Sequence, residues 1–110
     1  MEDVFCRIVK GEIPAKKVYE NADILVIEDI DPKAKIHLVI FPKKHTAESV
    51  NDKIPEQLLA EIFSAIREVT KNLGVDKTGY RVVTNHKSDA GQSIDHLHFH
   101  VLAGEKLKDI

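Results

Sequence analysis

The chain has 110 residues, 43% hydrophobic and 31% charged, with 16 Lys+Arg against 18 Asp+Glu and a formal net charge of −2. This length suits one domain over residues 1–110 with a single core, large enough to fold with neither disulfides nor a structural metal. The composition excludes a disordered tail, and the balanced charge offers no electrostatic footprint for nucleic acid.

No stretch approaches the roughly 18 apolar residues of a membrane helix. Cys6 is alone and forms no internal disulfide, and Met1 to Lys10 is too acidic for a signal peptide, so a cytoplasmic protein without membrane or nucleic-acid partners is expected. Six histidines stand out in a chain with one Cys, one Met and no Trp.

In chain order, Val4, Phe5, Ile8 and Val9 have helical spacing, with Asp3 as N-cap and Gly11 as the stop. Lys17 to Glu20 and Ile24 to Glu28, separated by Asn21-Ala22-Asp23, read as a hairpin. Ile36 to Phe41 is a nearly continuous apolar strand, covered on both faces and interrupted only by His37; Pro42 ends it. From Pro55 to Leu73, Leu58, Leu59, Ile62, Phe63, Ile66, Val69 and Leu73 follow a 3.6-residue period, closed by Gly74. Tyr80 to Asn85 predicts a fourth strand, Lys87 to Ser93 a polar loop, and Ile94 to Leu102 a fifth strand. The expected fold is α+β: a five-stranded, mainly antiparallel sheet with one long helix and a short N-terminal helix.

Residues two apart in a strand share a face, so His96, His98 and His100 recur at about 6.6 Å while Leu97, Phe99 and Val101 take the packed side. Three interpretations stand at this point. The imidazoles could occupy a solvated face; neighbouring histidines could ligate a metal, with Asp89 and Asp95 nearby, although Asp95 points to the other face. An unprotonated imidazole could instead attack phosphorus, with its neighbours supplying hydrogen bonds. The loop Asp89-Ala90-Gly91-Gln92-Ser93 adds backbone amides, an amide side chain and a hydroxyl suited to phosphate oxygens. Spacing alone does not separate the metal from the nucleophile.

Gly91-Gln92-Ser93 followed by His96-Leu97-His98-Phe99-His100-Val101-Leu102 resembles the signature of the histidine triad (HIT) family, three histidines alternating with apolar residues. Phe5 to Ala15, Asp29 to Ala34 and His37 to His45 resemble further family segments, and the likeness is strongest to the histidine triad nucleotide-binding branch. The resemblance implies a HIT-like fold and a homodimer that pairs through the long helix and a strand into a ten-stranded sheet. It implies metal-free hydrolysis of purine nucleoside 5'-phosphoramidates or related nucleotidyl bonds through a covalent nucleotidyl-histidine. Alternatives are dinucleoside polyphosphate hydrolysis, or a nucleotide-binding module with little turnover.

By correspondence, His98 is the nucleophile, His37 orients it, His96 and His100 flank the phosphate, and Ser93 and Gln92 contact the phosphate or leaving group. Asn85 matches a phosphate-site residue and Asp29 the carboxylate that receives the ribose hydroxyls. Phe5, Ile8, Ile13, Ile27 and Ile30 match the apolar slot for the purine. His86 matches no catalytic position and is expected at the surface. Some bacterial relatives carry Cys-x-x-Cys in the first segment, completing a structural zinc site with histidines at the positions of His45 and His96. Here Asp3-x-x-Cys6 stands instead, leaving Asp3, Cys6, His45 and His96 as a candidate zinc set, or Asp3 as a simple helix cap. Asp95 replaces a frequent aromatic residue, and the segment after the motif is short; both bear on the leaving-group side.

Overall fold

A computed structural model describes residues 2–110. Its elements are α1 (Val4–Val9), β1 (Lys17–Glu20), β2 (Ile24–Glu28), β3 (Ile36–Pro42), α2 (Glu56–Asn72), α3 (Val75–Thr78), β4 (Tyr80–Val83) and β5 (Phe99–Ala103). The five strands form one antiparallel sheet in the order β1-β2-β3-β5-β4.

Both faces of the sheet are covered, and strand parity decides which side chain goes where. Ile24 and Val26, Leu38 and Ile40, and Leu97, Phe99 and Val101 pack against Ile62, Ala65, Ile66 and Val69 of α2. The alternate residues Leu25, Ile27, Val39 and Phe41 meet Phe5 and Ile8 of α1. His37 shares parity with Val39 and Phe41, and His98 and His100 with the face opposite Phe99; all therefore gather on the α1 side. Pairing of Val39 with His100 and of His37 with Leu102 makes His37 and His100 diagonal neighbours on that face.

Asp3 caps α1, its Oδ1 accepting from Cys6 N at 2.9 Å. Gly11 follows at φ 81°, the left-handed conformation that ends the segment. On α2, Phe63 and Leu73 of the predicted stripe stay 39% and 45% exposed rather than entering the core.

The sheet departs from expectation at two strand ends. β5 begins at Phe99, not Ile94, because its neighbour β3 ends in Pro42, which has no N–H for the ladder. Leu97 N instead donates to Ala47 O at 2.9 Å. β4 stops at Val83, where the Thr84 hydroxyl takes over by donating to His98 O at 2.9 Å. The one-turn helix α3 and a 3-10 turn at Ser88–Ala90 were not expected; four residues are too few to show a period. No helix among the described residues is long and apolar enough to cross a membrane.

Candidate active site

A cavity of about 470 Å3 opens on the α1 side of the sheet, walled by Phe5, Ile8, Ile27 and Val39 and floored by His37, His98 and His100. Asp29, Ile30, Asn85, Gly91 and Ser93 complete it, with Ile30 95% exposed at the rim. A larger hollow of about 560 Å3 beside Tyr80 and Glu105 holds no histidine.

The backbone partners of the rings assign their tautomers. His98 Nδ1–H donates to the His96 carbonyl at 2.7 Å, which leaves Nε2 with the free lone pair. Phe5 presses on the same ring, with centroids 5.0 Å apart in an edge-on contact. His37 Nδ1 accepts from Lys33 N at 3.0 Å, so its proton sits on Nε2. That Nε2–H donates to His100 Nδ1 at 2.9 Å, which in turn places the His100 proton on Nε2. The site thus sets one nitrogen acceptor, on His98, beside one nitrogen donor, on His100.

Electrostatics keep these rings uncharged near neutrality. Burial holds His98 below the ordinary imidazole value, as it does His37, where Asp29 opposes the shift. His100 is pushed down to about 4 by burial first and by the neighbouring His98 and His37 next. Asp29 both starts its turn and serves the cavity: Oδ1 accepts from Asp31 N at 2.8 Å, while Oδ2 lies 3.4 Å from His37 Nε2.

Four expectations change. His37 is bonded to His100, not to the nucleophile candidate; His98 is oriented by the His96 carbonyl. His96 is fully buried and outside the cavity, with Nε2–H donating to Pro42 O at 2.8 Å. Gln92 turns its amide away, onto the backbone of Glu48, Lys87 and Ile94. Ile13 packs behind the Phe5 cluster rather than lining the cavity. Val4, Val39, Ile94 and the Lys33 amide were missed; parity with His37 could have found Val39.

Asp3, Cys6, His45 and His96 also converge, each offering a donor atom within 4.8 Å of the others. Asp3 Oδ2 lies 2.9 Å from His96 Nδ1, and Cys6 Sγ lies 3.8 Å from that nitrogen. His45 Nδ1, buried and without an aligned hydrogen bond, sits 2.7 Å from the same oxygen. Burial opposes the Asp3 charge, but the Cys6 N–H and His96 outweigh it and hold the carboxyl below its usual range. With His96 Nε2–H donated to Pro42, His96 Nδ1 faces the Asp3 carboxylate oxygen, a contact that needs either a proton on Nδ1 or a cation between the two. The donor types and their convergence fit zinc.

The HIT domain model matches residues 10–107. The chain belongs to the histidine triad family. A HIT-like protein of Helicobacter pylori is 44% identical over 104 residues, covering 94% of this chain and 98% of that relative. Among solved HIT structures, a HIT family hydrolase from Legionella pneumophila superposes with a TM-score of 0.91 at 40% identity, covering 97% of this chain and 96% of that one. A histidine triad nucleotide-binding protein from Candida albicans superposes at 0.82 with 38% identity, covering 89% and 71%.

Proposed function

We propose that this HIT protein hydrolyses purine nucleoside 5'-phosphoramidates or related nucleotidyl bonds through a covalent intermediate on His98. The observation that carries this is the His98 Nδ1–H donated to the His96 carbonyl, which frees Nε2 of a neutral ring lining the cavity. The names of the hydrolase and nucleotide-binding relatives support the same class.

In the first step His98 Nε2 forms a bond to phosphorus as the phosphorus–nitrogen bond breaks, the His100 Nε2–H hydrogen-bonds the departing nitrogen, and the amine leaves neutral with a proton drawn from water. In the second, the hydroxide left from that water attacks phosphorus and the His98–phosphorus bond breaks, returning His98 to its neutral form. Ser93, Asn85 and the Gly91 backbone line the cavity where the phosphoryl oxygens would lie, and Asp29 offers carboxylate oxygens for two ribose hydroxyls. The apolar wall of Phe5, Ile8 and Ile27 suits a flat base.

The test is His98→Ala assayed with a fluorogenic adenosine phosphoramidate and, in parallel, diadenosine tetraphosphate. A loss of at least about 10^4-fold is expected for the phosphoramidate. Unchanged turnover together with tight AMP or GMP binding would establish the binding-module alternative instead.

A zinc ion held by Asp3, Cys6, His45 and His96 belongs to the same proposal. It would tie α1 to the chain after β3 and to the residues before β5, a structural role outside the reaction. The protein is further proposed to act as a homodimer in the cytoplasm.

A further inference from the structure

The Gln92 side chain spends both its N–H donors and an oxygen lone pair on backbone groups. Its Oε1 accepts from Lys87 N at 2.8 Å, and its Nε2 donates to Glu48 O at 2.6 Å and to Ile94 O at 3.0 Å. Gly91 and Ser93, on either side of it, line the cavity while its own amide points the other way.

Lys87 shows what that anchoring does. At φ 65° and ψ 179° it is the one non-glycine residue with positive φ among the described residues, in a region essentially reserved for glycine. Its N–H is held by Gln92, and its carbonyl accepts from Ala90 N and Gln92 N at 3.2 and 3.1 Å.

A second tie runs parallel. Buried Ser49 accepts from Asn51 N at 3.2 Å, and its hydroxyl shares a hydrogen bond with His86 Nδ1 at 2.6 Å. His86, unmatched to any catalytic position, thereby links the start of the same loop to the turn after Ala47.

We propose that Gln92 is a positioning residue: it braces the loop against the Glu48 turn and holds the strained Lys87 backbone, so that Gly91 and Ser93 present their polar groups to the cavity. Its consequence for turnover rests on the hydrolysis proposed above; the brace itself does not. Gln92 acts through its neighbours and makes no contact with the leaving group.

Glycine at 87 adopts this backbone without being held. Gln92→Ala is therefore expected to lower kcat by about 10- to 100-fold with little change in KM, equally for substrates with small and bulky amine leaving groups. Lys87→Gly alone changes kcat by less than about twofold, and in the Gln92→Ala background it restores at least about tenfold. Amide hydrogen exchange at Gly91 and Ser93, measured without substrate, speeds up in Gln92→Ala and slows again in the double variant.

A leaving-group-dependent loss that Lys87→Gly leaves untouched, or exchange indifferent to Gln92, overturns the brace. The exchange cycle decides it even if the wild-type protein proves inactive on phosphoramidates, an outcome that would count against the proposed function alone.

Discussion

The role open to a histidine depends on what its second nitrogen binds. A carbonyl makes the His98 ring present a lone pair, whereas an amide, acting through His37, makes His100 present a proton. His37→Ala is accordingly expected to cost about 10^2-fold in kcat by freeing the His100 tautomer, with KM nearly unchanged; a rise in KM alone would contradict that role. Since His98 is held below 6.5, kcat/KM should stay flat through neutrality and fall on an acid limb below 6.5. An acid limb centred above that value excludes the neutral nucleophile. Stability follows the same shifts. His100 takes its proton near 4 when folded and near 6.5 when unfolded, so between these values the unfolded chain binds more protons. Stability is therefore full above pH 6.5 and declines as pH falls toward 4, with His37 and His98 acting in the same direction. Urea midpoints across this window should fall less steeply in His100→Gln than in the wild type, and coincident slopes would refute the linkage.

At the level of elements, α1 supplies the Phe5 and Ile8 wall of the cavity, and Asp3 performs two tasks at its start. Oδ1 caps the helix and Oδ2 enters the candidate zinc cluster, so the substitutions can be separated. Asp3→Ser keeps a capping oxygen and removes the carboxylate ligand, whereas Asp3→Ala loses both and about 1 kcal/mol of helix anchoring. Protein purified without added zinc should carry about one zinc per chain, which Asp3→Ser reduces; fewer than about 0.1 per wild-type chain would end the zinc proposal. This duality also marks how far periodicity carries. The continuous apolar run from Ile36 to Phe41 predicted a strand covered on both faces, and the spacing of Ile62, Ile66 and Val69 predicted the buried stripe of α2, because burial enforces these patterns. The link of His37 to the histidine-bearing strand came from the family resemblance, not from any period. Loops obey no period, so the sequence offered no sign that Gln92 faces backwards; Pro42 was legible as the end of β3, but not the register that sets it opposite the residues before Phe99. The relation of His37 to His100 rather than His98 depends on strand register, which the residues alone do not specify.

For the whole molecule, the two edges of the sheet differ. β1 is lysine-bearing and its register shifts between Lys17 and Tyr19, features that discourage further strand pairing. β4 is regular from Tyr80 to Val83, with three of its four residues aromatic or β-branched, and among the described residues its outer backbone groups have no strand partner. Phe63, on the neighbouring layer, stays 39% exposed while its ring meets Phe99 edge-on at 5.6 Å. An open, regular edge together with an incompletely covered helix stripe is what a second copy would bury through the β4 edge and α2. Light scattering is therefore expected to give twice the 12.4 kDa chain mass at micromolar concentration. Phe63→Glu should shift the equilibrium toward the single chain, because a carboxylate on that stripe would lose its water on pairing. If a dimer forms through β4, its edge amides exchange slowly in the dimer and quickly in the variant. A wild-type protein of single-chain mass at high concentration, with fast-exchanging β4 amides, would leave the edge exposed and reject the pairing.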